Sequence, residues 1–78
     1  MLVLKRVEWK DGKIVFNYYP EGKDSFGSIS VDENSGELNV LRIAENDEFE
    51  NYKVHAITRI REYFENRDFL QEDVVSWY

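Results

Sequence analysis

The sequence predicts an α+β fold, a four-stranded antiparallel β-meander with one amphipathic helix packed on one of its faces. Three observations carry that expectation. Upstream of residue 46 apolar residues alternate in short runs separated by turn residues, and downstream they recur every three or four positions. The turn sequences between the runs place most of the large apolar residues on one common face, which is what a sheet buried on one side requires.

The first strand spans residues 2–9 and ends at Asp11-Gly12, a dipeptide favoured in two-residue hairpin loops because both central positions need positive φ. This turn sets Trp9 opposite Ile14, Glu8 opposite Val15, Val7 opposite Phe16, Arg6 opposite Asn17, Lys5 opposite Tyr18 and Leu4 opposite Tyr19 in the second strand, residues 13–19. The next turn, through Pro20 and Gly22, pairs Tyr18 with Gly27, Phe16 with Ile29 and Ile14 with Val31 in the third strand, residues 26–32. An aromatic ring across from a strand glycine is a sound packing arrangement. The third turn, Glu33-Asn34-Ser35-Gly36, supplies a glycine for a left-handed position and brings Val31 opposite Leu38, Ile29 opposite Val40 and Phe26 opposite Ile43 in the fourth strand, residues 37–43.

The expected inner face is Val3, Val7, Trp9, Ile14, Phe16, Tyr18, Ile29, Val31, Leu38 and Val40, with Lys5 and Arg42 also falling on it at outer strands. The expected outer face is polar in its middle rows and apolar at one end, where Leu4, Tyr19, Phe26 and Ile43 form a cross-strand row with Leu2 and Leu41 nearby. A bulge in the fourth strand would turn Leu41 or Ile43 inward.

The helix is expected over residues 47–66, with Asp47 or Asn46 as its cap. Phe49, Tyr52, Ala56, Ile57, Ile60, Tyr63 and Phe64 share a stripe that reads as core, while His55, Thr58, Glu62 and Glu65 fall on the solvent side. The remaining tail is short and either helical or extended. It ends in Val-Val-Ser-Trp-Tyr, and the apolar area of Trp77 and Tyr78 predicts that it docks.

A chain of 78 residues has room for a single domain, 1–78, and it contains no cysteine to staple it or to build a thiolate metal site. No apolar run is long enough to span a bilayer, so no membrane contact is expected and a cytoplasmic location is the simplest reading. The net charge of −6 is concentrated between residues 24 and 51, which carry eight acidic residues and one basic.

Little in the chain points to chemistry. His55 is the only histidine and has no evident partner for nucleophilic or acid-base work. Asp32, Asn34, Gly36 and Glu37 superficially suggest a calcium loop, but Gly and the closing acid stand at the wrong positions. No phosphate-binding glycine loop occurs, so no catalytic residue, metal or cofactor is expected. Nucleic acid is disfavoured by the acidic balance. The expected function is a small non-enzymatic protein-interaction module that binds a protein partner or itself as a homodimer, using Leu4, Tyr19, Phe26, Leu41, Ile43, Trp77 and Tyr78. The alternative is an acidic decoy that occupies a basic, nucleic-acid-binding protein surface.

Overall fold

The structure, a computed structural model, describes residues 1–77. Its elements are β1 (Leu2–Lys10), β2 (Lys13–Pro20), β3 (Gly27–Asp32), β4 (Leu38–Arg42), α1 (Asn51–Asn66) and β5 (Glu72–Val75). The strands form one antiparallel sheet in the order β4-β3-β2-β1-β5, with α1 packed over β1, β2, β3 and β5. This is the α+β meander read from the sequence, extended by a fifth strand. The tail is extended: Val74 and Val75 favour a strand, and the outer edge of β1 offers unpaired backbone groups to receive it.

The turns form as their chemistry requires. Asp11 and Gly12 both have positive φ, 53° and 78°, as a type I′ hairpin demands. Gly36 sits at φ 78° in the β3–β4 turn, where Asp32 accepts the N–H groups of Asn34 and Ser35 at 2.8 and 2.9 Å. Across the sheet, Tyr18 lies over Gly27 so closely that a Cβ there would overlap its ring. The β2–β3 register is the expected one, and so are the pairs Val31–Leu38 and Ile29–Val40.

Two β-bulges correct the rest of the register. In β1 an extra residue at Val7 lets Trp9 and Glu8 keep their partners but shifts everything before it, so that Arg6 faces Phe16, Lys5 faces Asn17 and Leu4 faces Tyr18. Because side chains alternate, that one residue exchanges the faces of the strand's first half. Leu2 and Leu4 enter the core at 0% and 1% exposure instead of lying outside. Val3 and Lys5 move to the outer face, and Val7 is exposed. In β4 an extra residue at Leu41 pairs Arg42 with Ser28 and brings Arg42 to the outer face. The core is thus Leu2, Leu4, Ile14, Phe16, Tyr18, Ile29 and Val31 from the sheet, closed by Ala56, Ile60 and Tyr63 from α1 and by Phe69 and Val75 from the tail.

The helix begins at Asn51 rather than residue 47, and the reason is a cap reached from further back. Asp47 is buried in the preceding loop, and its carboxylate accepts the N–H groups of Tyr52 and Lys53 at 3.0 and 2.9 Å. The Tyr18 hydroxyl donates to the same carboxylate at 3.3 Å and accepts the Ala44 N–H at 3.1 Å, tying the helix start to the middle of β2. Phe49, expected in the core stripe, falls in this loop ahead of the helix and is 82% exposed. On the other flank of α1, Asp73 of β5 accepts hydrogen bonds from Tyr63 at 2.7 Å and Arg59 at 2.9 Å, which fixes the fifth strand beneath the helix.

Candidate interaction surface

The surface that α1 leaves uncovered has two parts, the outer face of the sheet and the side that ends in β4. On the outer face the pairings build three cross-strand rows. Glu8, Val15, Ser30 and Asn39 make one, and Glu72, Lys5, Asn17, Ser28 and Arg42 make the next. The end row is apolar, formed by Val74, Val3 and Tyr19, with the Phe26 ring 5.7 Å from that of Tyr19. Of the expected row, Tyr19 and Phe26 stand together, with Val3 in the place of Leu4, and the β4 bulge breaks the register that would have set Ile43 opposite Phe26. The row is also partly covered: Lys5 lies 5.3 Å over the Tyr19 ring and Arg42 lies 4.4 Å over Phe26, so cations already occupy aromatic faces.

The β4 side is barer. The pairs Ile29–Val40 and Val31–Leu38 turn Leu38 and Val40 toward the helix layer. The helix lies too far over to cover them fully, and Val40 remains 40% exposed. Leu41 and Ile43 follow at 59% and 46%. The flank of α1 facing β4 can be read from its geometry. Arg59 and Tyr63 reach toward β5, so at 100° per residue Ile57 and Phe64 project on the opposite flank and Val54 lies beyond them on the solvent side. Val54 is half-exposed there, Ile57 is half-buried, and Phe64 closes the far end against Gly36. Between helix and edge strand runs an apolar shelf. Among the described residues β4 has a strand on one side only, so its outer backbone groups are open.

The other residues expected to interact are dispersed. Leu4 lies in the core, and Tyr19 and Phe26 are half-buried on the outer face. Trp77 sits on the helix side, where its ring stacks on His55 with centroids 3.9 Å apart and meets Tyr52 edge-on. The end row of the outer face is therefore not covered by Trp77, and His55 is half-buried rather than solvated. Tyr78 falls outside the described residues. Of the expected set, the structure brings together Leu41 and Ile43 on the β4 side. Val40 belongs with them and was expected in the core instead. The available signal was that β4 ends the meander, and a single helix cannot reach the inner face of every strand.

Several polar groups are committed to the fold. Burial raises the Tyr18 hydroxyl pKa, opposed by the Ala44 N–H it accepts and assisted by Asp47, and burial together with Asp73 raises that of Tyr63. Asp32, held by the N–H groups of Ser35 and Asn34 and by Lys13, is lowered to about 2. Glu33 accepts the Trp9 indole N–H, and Glu50 pairs with Lys53. Among the described residues no group of three His, Asp or Glu is placed to hold a metal ion, and no helix is long and apolar enough to cross a membrane. No family model, curated protein or solved structure matches the chain.

Proposed function

We propose that this protein is a non-enzymatic interaction module that takes an extended segment of a protein partner as an added strand beside β4. The observation that carries this reading is the composition of that edge. Val40, Leu41 and Ile43 are all exposed in and just after a strand with open backbone groups, and no charge interrupts the run from Leu38 to Leu41. Edge strands are ordinarily blunted by inward charges, proline or a covering element, and an apolar, uncovered one invites strand addition. Main-chain pairing would supply affinity, and the shelf of Leu38, Val40 and Ile57 would select apolar side chains at alternate positions of the incoming segment. The outer face supports such a role less well, because Lys5 and Arg42 already cover its aromatic rings. An acidic decoy draws less support again, since Asp32, Glu33, Asp47 and Glu50 are engaged within the fold. A cytoplasmic setting accords with the cysteine-free sequence.

The test is selection of a displayed library of short extended peptides on the intact protein, followed by amide-shift mapping. The reading expects enriched peptides with alternating apolar residues that perturb residues 38–43 together with Ile57, and that lose binding to Val40→Lys. Enrichment of none, or perturbation confined to Lys5, Tyr19 and Phe26, would defeat it.

A further inference from the structure

Resting on that reading, we infer that the strand which fits β4 is β4 of a second copy, paired antiparallel about a two-fold axis through Asn39. The argument begins with the backbone. Asp32 donates its N–H to the Glu37 carbonyl at 2.9 Å, so the Glu37 carbonyl faces β3, while its N–H is taken up within the turn by the Ser35 hydroxyl at 3.2 Å. Alternation along an antiparallel ladder then makes Asn39 bond inward to β3 as well, and leaves the N–H and C=O of Leu38 and Val40 pointing to the free edge. Among two-fold pairings of β4 with itself, the one centred on Asn39 sets Leu38 of each copy against Val40 of the other. Both residues then exchange hydrogen bonds with the second copy. Centring on Leu38 or on Val40 would use fewer of these groups, because the second centre runs into the bulge at Leu41 and the first into the turn at Gly36.

The side chains agree with the same register on both faces. On the helix side, Leu38 and Val40 of the two copies pack against one another. On the outer face the two Asn39 side chains meet at the axis, where the paired strands approach most closely and one amide can donate to the other. Glu37 also points to the outer face, as its position opposite Asp32 requires, and the Leu41 bulge turns Arg42 to that face. Across the axis Glu37 of each copy therefore lies beside Arg42 of the other, giving the same ion pair twice. An acid at one end of β4 and a base at the other is self-complementary only in the antiparallel sense. The bulge that would otherwise protect an edge strand here ends the pairing and presents the arginine.

Sedimentation equilibrium on the full chain tests this with charge swaps at two exposed positions, which leave the core untouched. The wild-type chain is expected to dimerise at micromolar to millimolar concentration. Glu37→Arg and Arg42→Glu should each weaken the dimer by roughly tenfold or more, since each turns both ion pairs into like-charge contacts. The decisive sample is their equimolar mixture. One variant then supplies only bases at these positions and the other only acids, so the mixed dimer regains wild-type affinity, as does the double swap. A chain that stays monomeric at millimolar concentration, a dimer indifferent to both swaps, or a mixture no tighter than its components would overturn the inference. If the chain is monomeric yet enriched peptides still perturb residues 38–43, the strand-accepting reading stands and only the identity of the partner falls.

Discussion

The two edges of this sheet are built from similar lengths of chain and finished in opposite ways. At one edge β5 carries Glu72 and Asp73, and Asp73 reaches up to Tyr63 and Arg59 so that strand and helix are tied together. Phe69 ahead of it meets Trp9 edge-on, its carbonyl accepts the Arg6 guanidinium at 2.6 Å, and Val75 is buried behind. At the other edge β4 runs Leu38-Asn39-Val40-Leu41, where Leu38 packs against the core without a polar tie to the helix, and its inward residues stay partly in water. Closing an edge evidently takes an acid that faces inward and finds buried donors. An edge without one is left apolar and open.

The largest test of that contrast removes the closed side. A chain shortened to end at Asp68 loses Phe69, β5 and Trp77, and uncovers Leu2 and Leu4 along β1. For a domain of this size the whole margin of stability is about 5 kcal/mol, and losing these buried residues should exceed it. Thermal melting by circular dichroism should show no cooperative transition. A transition near that of the full chain would mean that β5 is an accessory and that the two edges do not differ in kind.

A smaller change isolates the tether. Asp73→Ala leaves the hydroxyl of the buried Tyr63 without its acceptor and leaves Arg59 the more solvated Glu62 at 3.3 Å. The expected loss in urea unfolding is about 2–3 kcal/mol, with Tyr63→Phe costing less because it removes donor and desolvation together. A loss below about 0.5 kcal/mol would place Asp73 among ordinary surface ion pairs.

Which parts of this were legible in the sequence follows from what sets register. Turns are local: Asp11-Gly12 gave the pairs Trp9–Ile14 and Glu8–Val15, the turn through Pro20 and Gly22 gave the β2–β3 pairing, and the Gly36 turn gave the start of β4. Bulges are not local, since their cause is the packing they permit. Their trace was nonetheless present: an unbulged register buries Lys5 and Arg42, and these are the two residues that the bulges at Val7 and Leu41 bring out. The Val7 bulge, however, exchanges Lys5 for Arg6 on the inner face, where the Phe69 carbonyl accepts its guanidinium, so an inward charge signals a bulge only where no acceptor awaits it. The late helix start was hidden for a related reason. Asp47 caps α1 from four residues before its first turn, held there by Tyr18, a residue of β2 that no local pattern links to it. With the start displaced, Phe49 left the core stripe, and with β1 shifted, Leu4 left the interaction set.

Matched substitutions compare the edges directly. Val75→Thr puts a hydroxyl into the buried side of β5 and should cost about 1–2 kcal/mol. Val40→Thr makes the same change where water already reaches the side chain, and its effect on the stability of the monomer should stay within about 0.5 kcal/mol. Equal costs would mean that the helix covers β4 as fully as β5.

The mildest perturbation is acid, and it should act on the open edge through the turn that starts β4. Asp32 holds that turn by accepting the N–H groups of Ser35 and Asn34, with Lys13 beside it at 3.4 Å, and its carboxyl is lowered from the ordinary 3.8 to about 2. A carboxylate depressed by folding contributes stability that is fully present above its unfolded value and disappears as pH falls through its folded one. The contribution should therefore be intact above about pH 4 and fade between there and about pH 2. The amide shifts of Asn34 and Ser35 should report a titration centred near the lower value. As it proceeds, Glu37 and Leu38 lose the fixed turn that aligns them, so the β4 edge should exchange its amides faster while the β1–β5 pairs respond less. A midpoint near the ordinary value would show that the turn exerts no hold on Asp32, and the alignment of the open edge would then rest on the β3 ladder alone.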